Sequence, residues 1–304
     1  MEVLLDHLDP VLLDDVYSSA SQLIEAICAN RTQLCTLAAD PGLWQRHGLW
    51  RQSISIFFMT WLSSSLFYLV FGTVCYYRNF DQSLKKQPKF RPNQIRSEIA
   101  DSLWALLVLN ALTVPIFVAQ VRGLAKIYTF GSYSAWYEVA RYPLFVLFSD
   151  TCMYWLHRVF HHPVLFRIAH HKHHRFVIPT PFSAYAFDPI EAWIMSLPIY
   201  AYSFIWPMSD VGQLLVFFIT NIRTFLLREW FVPSNRQSRA RSHSHPCSVD
   251  DNRDQFHTVH HKSIQPNFGQ FSALWDRLGG TYADPEVFSE PVRNKRERVK
   301  PLEH

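Results

Sequence analysis

Fifteen histidines stand in this chain of 304 residues, and seven of them lie between His157 and His174. Three clusters hold the pattern: His157-Arg-Val-Phe-His161-His162, His170-His171-Lys-His173-His174 and His257-Thr-Val-His260-His261. On a helix, positions i, i+3 and i+4 share one face, so His170, His173 and His174 are expected to point at one centre. The same holds for His257, His260 and His261, and for His157 with His161. His162, at i+5, falls on a different face. At this composition a His-x-x-His-His pattern is expected by chance roughly 0.04 times per chain, yet it occurs twice. A single His reads as a hydrogen-bonded core or surface residue, and His7, His47 and His304 are read that way. Nine clustered imidazoles read as metal ligands, because buried imidazole is costly unless it is hydrogen-bonded or ligated. A zinc site takes four ligands, or three and a water. Nine exceed that demand and point to two ions. An all-nitrogen set without thiolates suits iron, zinc, copper or nickel alike.

The elements that must position these side chains are apolar helices. The overall composition, 49% hydrophobic and 18% charged, resembles that of a soluble enzyme, but its apolar residues are segregated. Gln52 to Tyr77 is uncharged over 26 residues and Ser102 to Val121 over 20; about 20 suffice to cross a bilayer core. These predict membrane segments over Ile54–Tyr77 and Leu103–Val121, with Pro115 as a kink. A third stretch, Tyr142 to Leu156, leads directly into His157. Ala192–Ser209 and Val211–Ile222, parted by Asp210 and continued over Thr224–Leu227, predict a helical hairpin. No basic n-region of a signal peptide is visible at the start. Gly numbers only 9, and five Cys without framework spacing exclude collagen and a disulfide scaffold. Cys28 and Cys35 both fall in the arm before the first membrane segment and could pair, against which stands the lack of framework spacing. The reading is an all-α polytopic membrane protein: a helical transmembrane bundle with a histidine-rich cytoplasmic di-metal cap.

Basic residues set the orientation. Residues 1–51 carry three basic against seven acidic side chains, and the loop from Arg78 to Asp101 carries six against three. That loop is therefore placed in the cytoplasm, and all three histidine clusters fall on the same side. The division is a 1–51 amino-terminal arm in the lumen, a 52–227 transmembrane region with the first two clusters, and a 228–304 cytoplasmic region with the third. The twelve Lys and Arg of the last region accompany ten acids and no stacking motif, so they imply topology and no nucleic acid. The sequon at Asn30 lies in the lumenal arm, a glycosylation candidate.

The order His-Arg-x-x-His-His, His-x-x-His-His, hairpin, His-x-x-His-His resembles the membrane fatty acid hydroxylase and sterol desaturase superfamily. Ile178-Pro-Thr-Pro-Phe182, Asn267-Phe-Gly-Gln270 and Leu274-Trp-Asp-Arg-Leu-Gly-Gly280 are similar to its sterol C-5 desaturase (lathosterol oxidase) branch. The likeness runs from about Lys85 to Tyr282. It implies a non-heme enzyme of the endoplasmic reticulum membrane with two iron ions, facing the cytoplasm. Such an enzyme would use oxygen and NAD(P)H electrons, passed through cytochrome b5 and its reductase, to introduce the 5,6 double bond into a delta-7 sterol. A hydroxylase or oxidase acting on another sterol, terpenoid or long-chain lipid is the near alternative. A non-catalytic member that retains the fold is the distant one.

Three positions depart from that branch. Tyr185 and Asp188 stand where its members usually carry His, and Arg228 stands where they carry the His of a His-Asp-Gly segment. Arg cannot ligate a metal. Asp188 can, with an N-cap or ion-pair role as the equal alternative, and Glu229 is a weaker candidate. Thr180, inside the Pro-Thr-Pro turn, is read either as lining the substrate channel or as turn structure. His243 and His245 lie in the polar stretch from Ser234 to Asp254, read as a solvated loop or as replacement ligands. His171 is left out of the ligand set.

Overall fold

The computed structural model describes residues 9–11, 13–28, 45, 47–78, 80–176, 178–229, 260, 266–269 and 272–283. Helices carry the described architecture: α1 (Asp14–Cys28), α2 (Leu49–Arg78), α3 (Gln94–Val121), α4 (Ala135–Phe160), α5 (Pro163–Ile168), α6 (Pro189–Ile205), α7 (Asp210–Glu229) and α8 (Leu274–Leu278). The all-helical expectation needs one small correction. Two-residue strands β1 (Ile127–Tyr128) and β2 (Met208–Ser209) pair in parallel, Ile127 with Met208 and Tyr128 with Ser209, tying the exit of α3 to the turn between α6 and α7.

Helices α2 and α3 are long and apolar enough to cross a membrane. In a soluble core such helices would be covered. Here only 17% of the most apolar window of α2 and 39% of that of α3 are buried inside the protein. Phe58, Leu62, Leu66 and Val70 of α2 face outward, an apolar exterior suited to lipid. The third predicted stretch is part of α4, which carries Glu138, Arg141 and Asp150 and is not among the helices long and apolar enough to cross a membrane. The predicted hairpin is α6 and α7, which meet α4 in a cluster of Phe145, Tyr202, Met208 and Val216. Helix α3 runs through Pro115, and α4 and α6 run through Pro143 and Pro198.

Buried polar contacts fix the two ends. At one, Arg51 of α2 pairs with Asp9 at 2.8 Å and with Asp14, and Tyr17 of α1 meets Ser55 at 3.0 Å. Near it, Arg141 pairs with Glu138 and donates to Tyr128 and Ser209 at 2.6 Å each. At the other, the segment from Ile178 to Tyr185 docks on α2 and α3. Gln94 donates to the Ile178 carbonyl at 2.7 Å, and Tyr68 and Ser102 both donate to the Phe182 carbonyl, at 2.8 and 2.9 Å. Around it lies a core of Tyr68, Tyr76, Phe80, Leu84, Leu106 and Phe182. The end of α4, the start of α6 and the loop between α2 and α3 thus share one end of the molecule.

Candidate metal centre

His157 lies in the last turn of α4 and His161 is its C-cap. Pro163 explains the break that follows. A residue before proline avoids the α region, and His162 is extended (φ −60°, ψ 135°) as the N-cap of α5, with Pro163 at its first position. His162 is therefore carried out of the α4 face and is exposed, and it does not join the cluster expected from its box.

The second box is not an α-helical face. His170–Arg175 is a 310 turn, in which positions i and i+3 eclipse. This buries His170 and His173 on one edge and leaves His171 and Lys172 exposed. His173 lies flat on Phe187, centroids 4.5 Å apart and planes at 13°. His174 brings Nε2 to 3.1 Å from Nε2 of His170. From the third box, His260 is fully buried in the centre; His257 and His261 lie outside the described residues, as do Asn30, His243 and His245.

Four imidazoles, of His157, His161, His170 and His260, bring ligand nitrogens within 4.8 Å of one another. His161 Nε2 is 2.8 Å from His170 Nε2 and 3.1 Å from His260 Nε2. Three of the rings are held from behind. His157 Nδ1–H donates to the Phe268 carbonyl at 2.9 Å, His260 Nδ1–H to the Pro266 carbonyl at 2.8 Å, and His170 Nδ1–H to Glu191 at 2.7 Å. A neutral ring with its proton on Nδ1 presents a lone pair at Nε2. Three such lone pairs therefore converge on His161. A proton there is shared among them at best, whereas a metal ion satisfies all four, and anchoring through the second nitrogen is the usual setting of ligand histidines. Burial and the neighbouring His170 hold His157 down to about 3, and burial and the neighbouring His157 hold His161 at about 2. Both rings are neutral at pH 7, the state a ligand needs. The donor set fits a divalent transition metal.

The carbonyl behind His157 is itself held in place. Asp276, the buried central residue of the Trp-Asp-Arg motif, accepts from the amides of Phe268 and Gly269, each at 2.8 Å, and from the Thr281 hydroxyl at 2.8 Å. Burial raises its carboxyl above the ordinary value. Asn267, at φ 63°, uses its side-chain oxygen to accept from the Ala283 amide at 2.9 Å. Ser272 donates to Asp150 of α4, and Tyr154 meets Thr281 at 3.1 Å, which docks the loop on α4.

Glu191, Asp276 and the two carbonyls were not among the sequence candidates. The carbonyls carry no side-chain signal, and Asp188-Pro-Ile-Glu191 reads as an ordinary capping box. Of the candidates outside the boxes, Asp188 is the N-cap of α6. One carboxylate oxygen accepts from the Ile190 amide at 3.1 Å and the other from Lys172 at 2.6 Å, so of its two readings the cap and ion pair describe it. Thr180 is fully buried, donates to Glu98 and accepts from the Phe182 amide at 3.2 Å, contacts that belong to its turn reading. Tyr185 donates to Asn221 of α7. Arg228 falls within α7.

Residues 142–281 match the family described as fatty acid hydroxylase. The chain is 35% identical over 282 residues to the Delta(7)-sterol 5(6)-desaturase erg3A of Aspergillus fumigatus, covering 91% of this chain and 75% of the relative. This chain belongs to the fatty acid hydroxylase family. Within it, the lathosterol oxidase of Homo sapiens is 34% identical over 82% of this chain and 81% of its own length. The Delta(7)-sterol 5(6)-desaturase erg31 of Schizosaccharomyces pombe is 30% identical over 100% and 92%. No solved structure matches the chain. The resemblance read from the boxes and from the Trp-Asp-Arg segment is thereby established, and those motifs now have positions: two boxes and His260 at the cluster, the third motif behind it.

Proposed function

We propose that the chain is a membrane-bound non-heme di-iron oxidoreductase that introduces the 5,6 double bond into a delta-7 sterol. Oxygen is the oxidant, and electrons come from NAD(P)H through cytochrome b5 and its reductase. The observation that carries this reading is the convergence of four imidazoles, three of them anchored through the second ring nitrogen, in a chain whose relatives are named as sterol desaturases. His157, His161, His170 and His260 would hold one ion. His173 and His174, with His257 and His261, complete the proposed ligand set; His162, turned outward, is left out. Iron bound there supplies the activation of oxygen that removal of hydrogen from an unactivated carbon requires.

The chain's own residues do the rest. Glu191, Phe268 and Pro266 fix the tautomer and direction of three rings. Phe166 and Phe268 pack on His161, with centroids 5.5 and 5.0 Å away, and exclude water from that side. The lipid-facing apolar surface of α2 and α3 supports delivery of a sterol from the bilayer. An alkene forms when the hydrogens on two neighbouring carbons are both held at the centre; an alcohol forms when only one is.

The proposed setting is the endoplasmic reticulum membrane, crossed by a polytopic bundle. Residues 1–51 would be lumenal, 52–227 the membrane region and 228–304 cytoplasmic, with the histidine centre as a cytoplasmic cap. The common end shared by the 78–101 loop and the cluster supports this arrangement.

The test is expression in cells lacking their own sterol C-5 desaturase. The expected product is a conjugated 5,7-diene, read by its ultraviolet absorption. A new alcohol would assign the chain to the hydroxylase alternative. Absence of both, with protein present in the membrane, would overturn the enzymatic reading in favour of a non-catalytic member.

A further inference from the structure

Glu191 occupies the third position of α6, where a glutamate after an Asp N-cap ordinarily folds back on the cap amide. Here it reaches across to the second histidine box. Its Oε1 accepts from His170 Nδ1–H at 2.7 Å, with side chains only 3% and 1% exposed. Its Oε2 is buried and has no hydrogen-bond partner among the described residues. A buried carboxylate with an unpartnered oxygen is costly, and the positive end of α6 offsets only part of that cost.

His157 and His260 have their tautomers fixed by neutral backbone carbonyls. Of these three anchored rings, His170, whose Nε2 contacts both His161 and His174, is held through its Nδ1 by a carboxylate. Fixing a tautomer needs only an acceptor. A carboxylate adds negative charge behind the ring, which makes Nε2 a stronger donor toward a cation.

We infer that Glu191 is a positioning residue for the metal centre, which both fixes His170 and supplies the negative charge that draws the ion to the imidazole cluster. The inference rests on the metal-site reading proposed above, and it assigns the role to an acid outside every histidine box.

The experiment uses the full-length protein in detergent, stripped of metal and titrated with cobalt(II) as the probe. It compares the unaltered chain with Glu191→Gln, which keeps an acceptor of the same shape and removes the charge. The expected result is 10- to 100-fold weaker binding, as for other second-layer partners of ligand histidines, with shifted visible absorption bands of the bound cobalt. Thermal stability of the metal-free variant is expected to equal or exceed that of the unaltered chain, because an unpaired buried charge has been removed. Equal affinity and an unchanged cobalt spectrum in Glu191→Gln would overturn the inference. Failure of the unaltered chain to bind cobalt would instead overturn the metal-site reading itself. Should Glu191→Gln not be recoverable from membranes, Glu191→Asp gives the same decision: it retains the charge, so the inference expects less than half the loss, on a logarithmic scale, of Glu191→Ala. Equal losses in those two would overturn it.

Discussion

The ring of His157 and the backbone carbonyl of Phe268 meet at 2.9 Å across 111 residues of sequence, and Asp276 holds that carbonyl's loop by the two amides that follow Asn267. The contact joins the end of α4 to a segment near the far end of the chain. It makes the Trp-Asp-Arg motif part of the centre without any of its side chains touching a ligand nitrogen.

Asp276→Asn should therefore act at a distance. The amide side chain has one acceptor oxygen where the carboxylate has two, so a buried N–H loses its partner, at a cost of about 1 to 3 kcal/mol. The loosened Phe268 carbonyl should also lower metal affinity. Thermal unfolding and metal content of the purified variant check both. A stable variant with full metal content would show that the loop positions nothing.

Within the first box the two neighbours should behave oppositely. His161→Ala removes the ring on which three lone pairs converge, and metal affinity should fall by more than about 100-fold, beyond what a second-layer change costs. His162→Ala, at an exposed cap, should leave metal content and diene formation within about twofold. Metal analysis of the two variants side by side decides it.

Asp188→Ala tests the departure from the family pattern. As an N-cap paired with a half-exposed Lys172, Asp188 should contribute about 0.5 to 2 kcal/mol of stability and nothing to metal content. A loss of bound metal at unchanged stability would return it to the ligand set.

Acid should release the metal before it unfolds the membrane helices. His157 and His161 have values lowered from 6.5 to about 3 and about 2, so the unfolded chain takes up protons first. Stability is intact above pH 6.5 and declines as the pH falls from there toward 3. Protons also compete with the metal for the same lone pairs. In the folded protein those lone pairs take up protons only near pH 3 and 2, so metal release followed by dialysis should begin only as the pH approaches 3, and be complete while far-ultraviolet circular dichroism still reports the helices.

The proposed topology is checked at Asn30. Residues 1–51 in the lumen predict a glycan there, removable by endoglycosidase and abolished by Asn30→Gln, while the carboxy-terminal tail stays protease-accessible in sealed microsomes. A protected tail would invert the arrangement.

Much of this arrangement is legible in residue types and spacing. Uncharged runs of the length of a bilayer give α2 and α3, and Pro163 after His162 already announces the break that turns that ring away. His-x-x-His-His correctly marks His170 and His174 as neighbours, but the fold achieves it with a 310 turn, because Ala169 ends α5 in a non-helical conformation. Glu191 is hidden by its resemblance to a capping residue. Phe268 and Pro266 contribute carbonyl groups that every residue possesses, so their role is written only in the path of the backbone. The buried Glu98 to Thr180 contact is equally silent, since it depends on which face of α3 meets the 178–185 segment.

The dispersal of the cluster along the chain has a consequence for biosynthesis. When a ribosome has finished α7, His157, His161 and His170 exist, yet His260 and the Pro266 and Phe268 carbonyls do not. On the proposed membrane and metal-site readings, insertion of the helices precedes completion of the centre, and metal loading awaits translation through Phe268. A stop codon placed after α7 should yield an inserted apoprotein with no partial activity.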